Sequence, residues 1–302
     1  MSDEDIYVGS YRLVAQLGSG AFGSVYLAQH AILTNRIVAI KIMHPEHLGS
    51  SQELLRFFTE AQILDKLKHP GILPIITVDI GEYGPYLVTE YASKGSLRNR
   101  LQKQSSKPMP IEEAIRILSQ IGQALQHAHE QNIIHRDLKP ENILFNDKGE
   151  ALLADFGVAA ILGTVSLKQT TTAGTLAYMA PEQFQDMVCK ESDQYALGCI
   201  AYELFTGHMP FVASNPATLI AKRLMEQPVA PRQYNPQLPT HIEQAILKAL
   251  AKQRTDRYPN VSSFITALST PTSGLSREAK ELWMAELLAI TMMYPGNKGK
   301  II

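Results

Sequence analysis

The sequence predicts an α+β fold of two unequal lobes, a small one built on an antiparallel sheet and a larger, mostly helical one. Two observations carry this. β-Branched and aromatic residues cluster in short segments up to about residue 91, and apolar residues recur at three- and four-residue spacing over nearly all that follows. Segments 11–17, 23–30 and 37–42 read as strands, with turn residues such as Thr34-Asn35 between them. Over 52–67 the apolar positions Leu54, Phe57, Ala61, Leu64 and Leu67 fall on one helical face. Strands at 75–80 and 86–91, joined by a turn over 81–85, complete a sheet of five strands with one main helix.

After Ala92-Ser93-Lys94-Gly95-Ser96 the pattern turns helical. Ile111, Ile115, Leu118, Ile121, Leu125 and Ala128 form one apolar stripe, so this helix packs on the large lobe and delivers the chain to His135. Residues 193–207 are apolar on nearly every side, as in a helix at the centre of a lobe. Further helices are expected near 214–226, 240–251 and 260–268. The expected division is an N-terminal extension over 1–10, a small lobe over 11–92, a large lobe over 93–268, and a linker, helix and tail over 269–302. The Ser/Thr/Pro/Gly-rich stretch 269–274 marks the domain's end. Beyond it, 276–293 reads as an amphipathic helix carrying Leu282, Trp283, Leu287 and Ile290. Docking on the large lobe is favoured over a partner-binding or juxtamembrane role.

With 45% hydrophobic and 19% charged residues in 302, the chain can bury a large core. A net charge of -1 supplies no global field for nucleic acid or anionic lipid, so no nucleic-acid partner is expected. Cys189 and Cys199 are too few for a disulfide framework, and Cys199 lies in an apolar run that reads as core, which points to a reduced, cytoplasmic setting. The acidic start, Met1-Ser2-Asp3-Glu4-Asp5, is unlike a signal peptide. No stretch approaches the roughly 20 apolar residues of a membrane span, so no membrane insertion is expected.

Chemistry is written in a few short phrases. Gly18-Ser19-Gly20-Ala21-Phe22-Gly23 would let backbone amides approach phosphate oxygens with no Cβ between them. Alone it fits a hairpin or a dinucleotide-binding turn equally well. The strand signal Ser24-Val25-Tyr26-Leu27 follows it where a dinucleotide site would open a helix, so a hairpin loop over phosphates is favoured. Val38-Ala39-Ile40-Lys41 ends a strand on an ammonium group. His135-Arg136-Asp137-Leu138-Lys139-Pro140-Glu141-Asn142, then Asp155-Phe156-Gly157, then Ala180-Pro181-Glu182, supply an Asp/Asn pair and a second Asp, the hard oxygen set that metal-dependent phosphoryl transfer requires.

Together, over roughly residues 10–268, these phrases resemble the protein kinase family, and within it the bacterial eukaryotic-like (Hanks-type) Ser/Thr kinases. The resemblance implies the bilobal protein kinase fold and transfer of the ATP γ-phosphate to Ser/Thr hydroxyls of protein substrates, with Mg²⁺ or Mn²⁺ as metal, in signal transduction. It implies Asp137 as catalytic base, Lys139 beside the γ-phosphate, Asn142 and Asp155 as metal ligands, and Lys41 on the α- and β-phosphates, held by Glu60. Leu17, Gly18, Gly20, Gly23, Val25, Ala39 and Leu144 would enclose the nucleotide. Thr89 would control depth behind the adenine, and Glu90 and Ala92 would offer backbone groups to its edge. Thr175 resembles the threonine used beside the catalytic Asp and Lys. Glu182 and Arg257 are matched as a buried structural pair, and Asp193 as the support of the catalytic loop's backbone.

Arg136 before the catalytic Asp resembles kinases switched by phosphate on the activation loop. The hydroxyl-rich stretch over 162–175 contains Thr164, Ser166, Thr170, Thr171 and Thr172. Autophosphorylation is expected within 170–172, foremost at Thr171 or Thr172, with the phosphate bridging Arg136 to Arg56. A pseudokinase scaffold would lack Lys41, Asp137 or Asp155, and all are present. A small-molecule phosphotransferase of the aminoglycoside type shares the Asp/Asn/Asp core, but Ala180-Pro181-Glu182 argues for an extended peptide, with Leu176 and Ala177 suggesting tolerance of apolar side chains. By analogy the resemblance also carries a homodimer through the small lobe. Relatives often continue into a transmembrane helix and an external sensor, so beside the cytoplasmic reading the chain as the cytoplasmic part of such a receptor stays open.

Overall fold

The computed structural model describes residues 5–20, 23–44, 51–156 and 176–270, with the backbone alone at 51–53, 56, 60 and 63. The small lobe holds strands β1 (Tyr7–Val8), β2 (Tyr11–Gly20), β3 (Gly23–His30), β4 (Ile37–Met43), β5 (Ile75–Gly81) and β6 (Gly84–Glu90), and helix α1 (Ser51–Asp65) between β4 and β5. Every pairing is antiparallel, in the order β1-β2-β3-β4-β6-β5. The sheet thus has six strands among the described residues, not the expected five, because the N-terminal extension contributes β1. Two residues are too short to show alternation. Val8 is buried, and Gly9 turns the chain at φ +57°, where a Cβ would come within 2.4 Å of the Tyr86 hydroxyl.

Alternation in β4 sends Val38 and Ile40 into a core with Ala28, Tyr86 and Val88. Ala39 and Lys41 lie on the other face, Val25 opposite Lys41 and Thr89 opposite Ala39. Helix α1 packs its Phe57 on Met43, with Leu54 and Val78 beside them.

The large lobe contains α2 (Leu97–Lys103), α3 (Ile111–Glu130), a two-stranded sheet β7 (Ile143–Phe145) and β8 (Ala151–Leu153), and then α4 (Lys190–Thr206), α5 (Pro216–Met225), α6 (Pro231–Tyr234), α7 (Thr240–Ala249) and α8 (Val261–Ser269). Ser96 opens α2 with a reciprocal capping box to Asn99. Helix α4 is buried from Ser192 to Thr206 and ends at Gly207 in the left-handed region, where a Cβ would collide with the Ser106 carbonyl. Ile117, Leu118, Ile121, Leu125 and Ala128 of α3 join Leu197, Ile200 and Leu204 of α4 and Ile242 and Ile246 of α7 in one core. At roughly 1.5–3 kcal/mol per buried Leu or Ile, this layer is the main stabilising term of the lobe. Among the described residues no helix is long and apolar enough to cross a membrane.

Candidate active site

The loop between α3 and β7 is held from behind by α4. Asp193, almost wholly buried, accepts the backbone N–H of His135 at 2.8 Å on Oδ2 and that of Arg136 at 3.0 Å on Oδ1, and lies 2.7 Å from His129 Nε2. Arg136 takes φ +71°, a region that costs a non-glycine residue about 1 kcal/mol or more. Two hydrogen bonds hold it there, the one to Asp193 and one from Gln183 Nε2 to its carbonyl at 3.1 Å. His135 is buried, bonded to the Ala154 carbonyl and packed on Phe156.

In front of this support the polar side chains gather. Lys139 Nζ lies 2.7 Å from Asp137 Oδ2, and Asn142 Nδ2 donates to the Asp137 carbonyl at 2.8 Å and to its carboxylate at 3.3 Å. With its nitrogen committed, the amide oxygen of Asn142 is the atom left to meet a cation. Ala154 N–H bonds to the Asn142 carbonyl, which ties β8 and Asp155 to the loop. Asp155, at φ +58°, meets Lys41 Nζ at 2.9 Å. Although part of its side chain is exposed, burial by the protein packed around Asp155 works to raise its carboxyl. The charge and hydrogen bond of Lys41 outweigh it, with His135 and Lys139 adding, and hold it below the usual carboxylate range. Lys41 with Asp155, and Asp137 with Lys139 and Asn142, are thus two polar groups joined through the Ala154–Asn142 backbone bond, close enough for the Lys139 charge to act on Asp155.

The glycines of the β2–β3 hairpin divide in two. A Cβ on Gly23 would stand 2.3 Å from the Ile42 carbonyl oxygen, so that glycine serves the sheet. At Gly18 and Gly20 a Cβ would meet nothing within 4 Å among the described residues, so none of these crowds their backbone. Leu17 beside them is exposed. Val25, Ala39 and Leu144 are half-buried, Ala92 is buried, and Thr89 turns its hydroxyl to the Glu90 carbonyl at 3.1 Å. Open backbone at Gly18 and Gly20, oxygen donors on Asp155 and Asn142, and apolar side chains at Val25, Ala39 and Leu144 suit a nucleoside triphosphate and a divalent cation. No group of three or more His, Cys, Asp or Glu residues stands ready for a metal among the described residues. A cation held by Asp155 and Asn142 would complete its shell from phosphates and water, as Mg²⁺ usually does.

The side chains of Glu60 and Arg56, and residues 157–175 with Thr164, Ser166, Thr170, Thr171, Thr172 and Thr175, lie outside what the structure describes, as does the expected helix over 276–293.

Below the cleft, Glu182 and Arg257 form a bidentate buried pair at 2.7 and 2.8 Å, with Ser192 donating to Glu182 at 2.8 Å. Burial works to raise the Glu182 carboxyl, but the Arg257 hydrogen bonds and charge prevail and lower it. Sequence reasoning missed a second hub. Arg98 of α2 bonds Glu141 at 2.7 Å, Glu203 at 2.8 Å and the Tyr178 hydroxyl at 2.5 Å, and Tyr178 donates to Glu203. Arg98 sits in an ordinary amphipathic heptapeptide, so nothing in the local pattern marks it.

Comparison with known proteins follows the same lines. The family described as protein kinase domain matches residues 11–289. The serine/threonine-protein kinase PrkC of Bacillus subtilis is 35% identical over 266 residues, covering 87% of this chain and 40% of that protein. The probable serine/threonine-protein kinase PknB of Lactococcus lactis is 34% identical over 278 residues, covering 91% and 44%. The chain thus spans less than half the length of these relatives. Among solved structures, the PknI kinase domain of Mycobacterium tuberculosis superposes with a TM-score of 0.70 at 26% identity, covering 88% of this chain and 96% of that one.

Proposed function

The chain belongs to the protein kinase family, and from that premise we propose that it transfers the γ-phosphate of ATP to serine or threonine hydroxyls of protein substrates. The observation that carries this reading is the Lys41–Asp155 pair tied, through the Ala154–Asn142 backbone hydrogen bond, to the group of Asp137, Lys139 and Asn142. When bound, metal-chelated ATP supplies the electrophilic phosphorus and a leaving group whose charge the cation neutralises. Asp155 and the amide oxygen of Asn142 would hold that cation, and Mg²⁺ is the ion that suits two hard oxygens and a phosphate chain. Lys41 steadies the phosphates while keeping Asp155 ionised. Asp137 orients the incoming hydroxyl and accepts its proton at Oδ, a task in which placement matters more than basicity. Lys139, 2.7 Å from that carboxylate, balances negative charge at the point of transfer.

The segment that continues through Ala177 and Tyr178 to Ala180-Pro181-Glu182 supports a peptide rather than a small molecule, because α4 and Arg257 brace it as a platform beside the cleft. Arg136 is exposed next to the base, which supports a switch in which phosphate at Thr171 or Thr172 pairs with it. The test is incubation with labelled ATP and Mg²⁺, comparing the protein with its Asp137→Asn variant. Label on serine or threonine that disappears in the variant is the expected result. Equal labelling of both proteins, or none of either, sinks the proposal.

A further inference from the structure

Arg223 is the one buried residue of the ten-residue helix α5, so that helix docks on the lobe through a guanidinium group. Among the described residues no carboxylate pairs with it. Its Nη1 donates to the Met179 carbonyl at 2.6 Å and its Nη2 to the Ala177 carbonyl, while its Nε finds no partner among the described residues. The group also packs between the rings of Tyr195 and Phe211, with the Cys199 thiol at 3.7 Å. From the loop after α7, Lys252 Nζ donates to the backbone carbonyl of Arg223 at 2.6 Å and sits 4.2 Å from the Phe211 ring.

An unpaired buried charge is costly, and a leucine or methionine would fill the same aromatic niche without that cost. What a guanidinium adds here is a fork that reaches two carbonyls at once. Those carbonyls belong to a stretch with no helix or sheet ladder of its own to satisfy them. We propose that Arg223 is a positioning residue for the peptide substrate, acting through residues 177–179, and that it makes the seating of helix α5 and the shape of the acceptor platform one variable. This rests on the reading of that segment as the platform. Arg223 touches neither nucleotide nor reacting atoms, so its loss acts on peptide recognition and leaves the ATP site alone.

The experiment is steady-state phosphorylation of a serine peptide by the full chain and its Arg223→Met, Arg223→Lys and Ala177→Glu variants, measuring KM for peptide and for ATP separately. Arg223→Met is expected to raise the peptide KM roughly tenfold or more, since small misplacements of a positioning element have effects of that order. Its ATP KM should stay within about twofold. Arg223→Lys, which keeps the charge and can reach one carbonyl, should recover part of the loss. Ala177→Glu changes a side chain of the platform while leaving residue 223 and the carbonyl it bonds in place, and should raise the peptide KM by itself. If it does and Arg223→Met does not, the inference about Arg223 fails. If neither moves the peptide KM, the platform reading fails. Should Arg223→Met not fold, Arg223→Lys decides alone, and a peptide KM equal to that of the parent overturns the proposal.

Discussion

Lys41 Nζ stands 2.9 Å from Asp155 Oδ2, joining β4 of the small lobe to the residues after β8, 114 positions away in sequence. The carboxylate is over a third exposed, so the pair contributes about 1 kcal/mol or less to stability. Its value is to hold a cation and an anion where a triphosphate would enter.

Lys41→Met and Asp155→Asn should therefore leave the fold intact and lower phosphoryl transfer by about a thousandfold or more. Thermal melts and peptide-phosphorylation rates on the same preparations check this. A melt lowered by more than a few degrees together with only a modest rate loss would make the pair structural instead.

The three glycines of the hairpin should separate by assay. Gly23→Ala places a methyl against the Ile42 carbonyl and should destabilise the protein by about 1–3 kcal/mol. Gly18→Ala and Gly20→Ala meet no atom within 4 Å among the described residues and should melt with the parent while raising the KM for ATP. Equal melting of all three variants would contradict the division.

Glu182→Gln leaves Arg257 charged and buried, and should cost about 3–5 kcal/mol, or roughly 6–20 °C in Tm for a chain of this size. Replacing both residues by methionine should restore much of that. Chemical denaturation of the single and double variants measures the coupling directly.

Stability should begin to fall at higher pH than carboxylates alone predict. His69, whose ring is pushed down to about 4 by burial and then by the neighbouring charge of His127, binds its proton in the unfolded chain from 6.5 downward but in the folded one only near 4. Native stability is lost across that window as pH falls. His241, lowered by burial, adds in the same direction, and Glu182 continues the loss as pH falls below its ordinary 4.5. A His69→Gln variant whose pH–stability curve matches the parent between 6.5 and 4 would refute this.

On the alkaline side the sign reverses. Burial, then the charge of Arg223, lowers Lys252 to about 8 from 10.5, so between those values the unfolded chain carries the extra proton and stability rises with pH. Above about 10 the buried Tyr178, Tyr195 and Tyr202, all raised first by burial, turn the curve down again. Lys252→Met should flatten the rise, as urea denaturation from pH 7 to 10 would show.

What could be read in advance tracks how each signal is encoded. The phrase from His135 to Asn142 is local, and its spacing sets the loop that brings Asp137, Lys139 and Asn142 together. Strand β1 and the pair β7 and β8 are two or three residues long, below the length at which alternation can be seen. The hydrogen bonds from Arg257 to Glu182 reach across 75 residues, and only family likeness, not periodicity, pointed to that match. Arg223 misleads any local reading. In the stretch Ala221-Lys222-Arg223-Leu224 it looks like a solvated basic position, and it is buried because two carbonyls far upstream need donors.

Helix α4 touches four separate parts of the machine within its length: Ser192 holds Glu182, Asp193 holds residues 135 and 136, Gln194 bonds Tyr258, and Glu203 bonds Tyr178 and Arg98. Because these supports are spaced at about 1.5 Å of rise per residue along one rigid rod, the offset between base and acceptor is metered by helical pitch rather than by loop length. Adding or removing one residue inside α4 would rotate the two halves of this scaffold out of phase by about 100°.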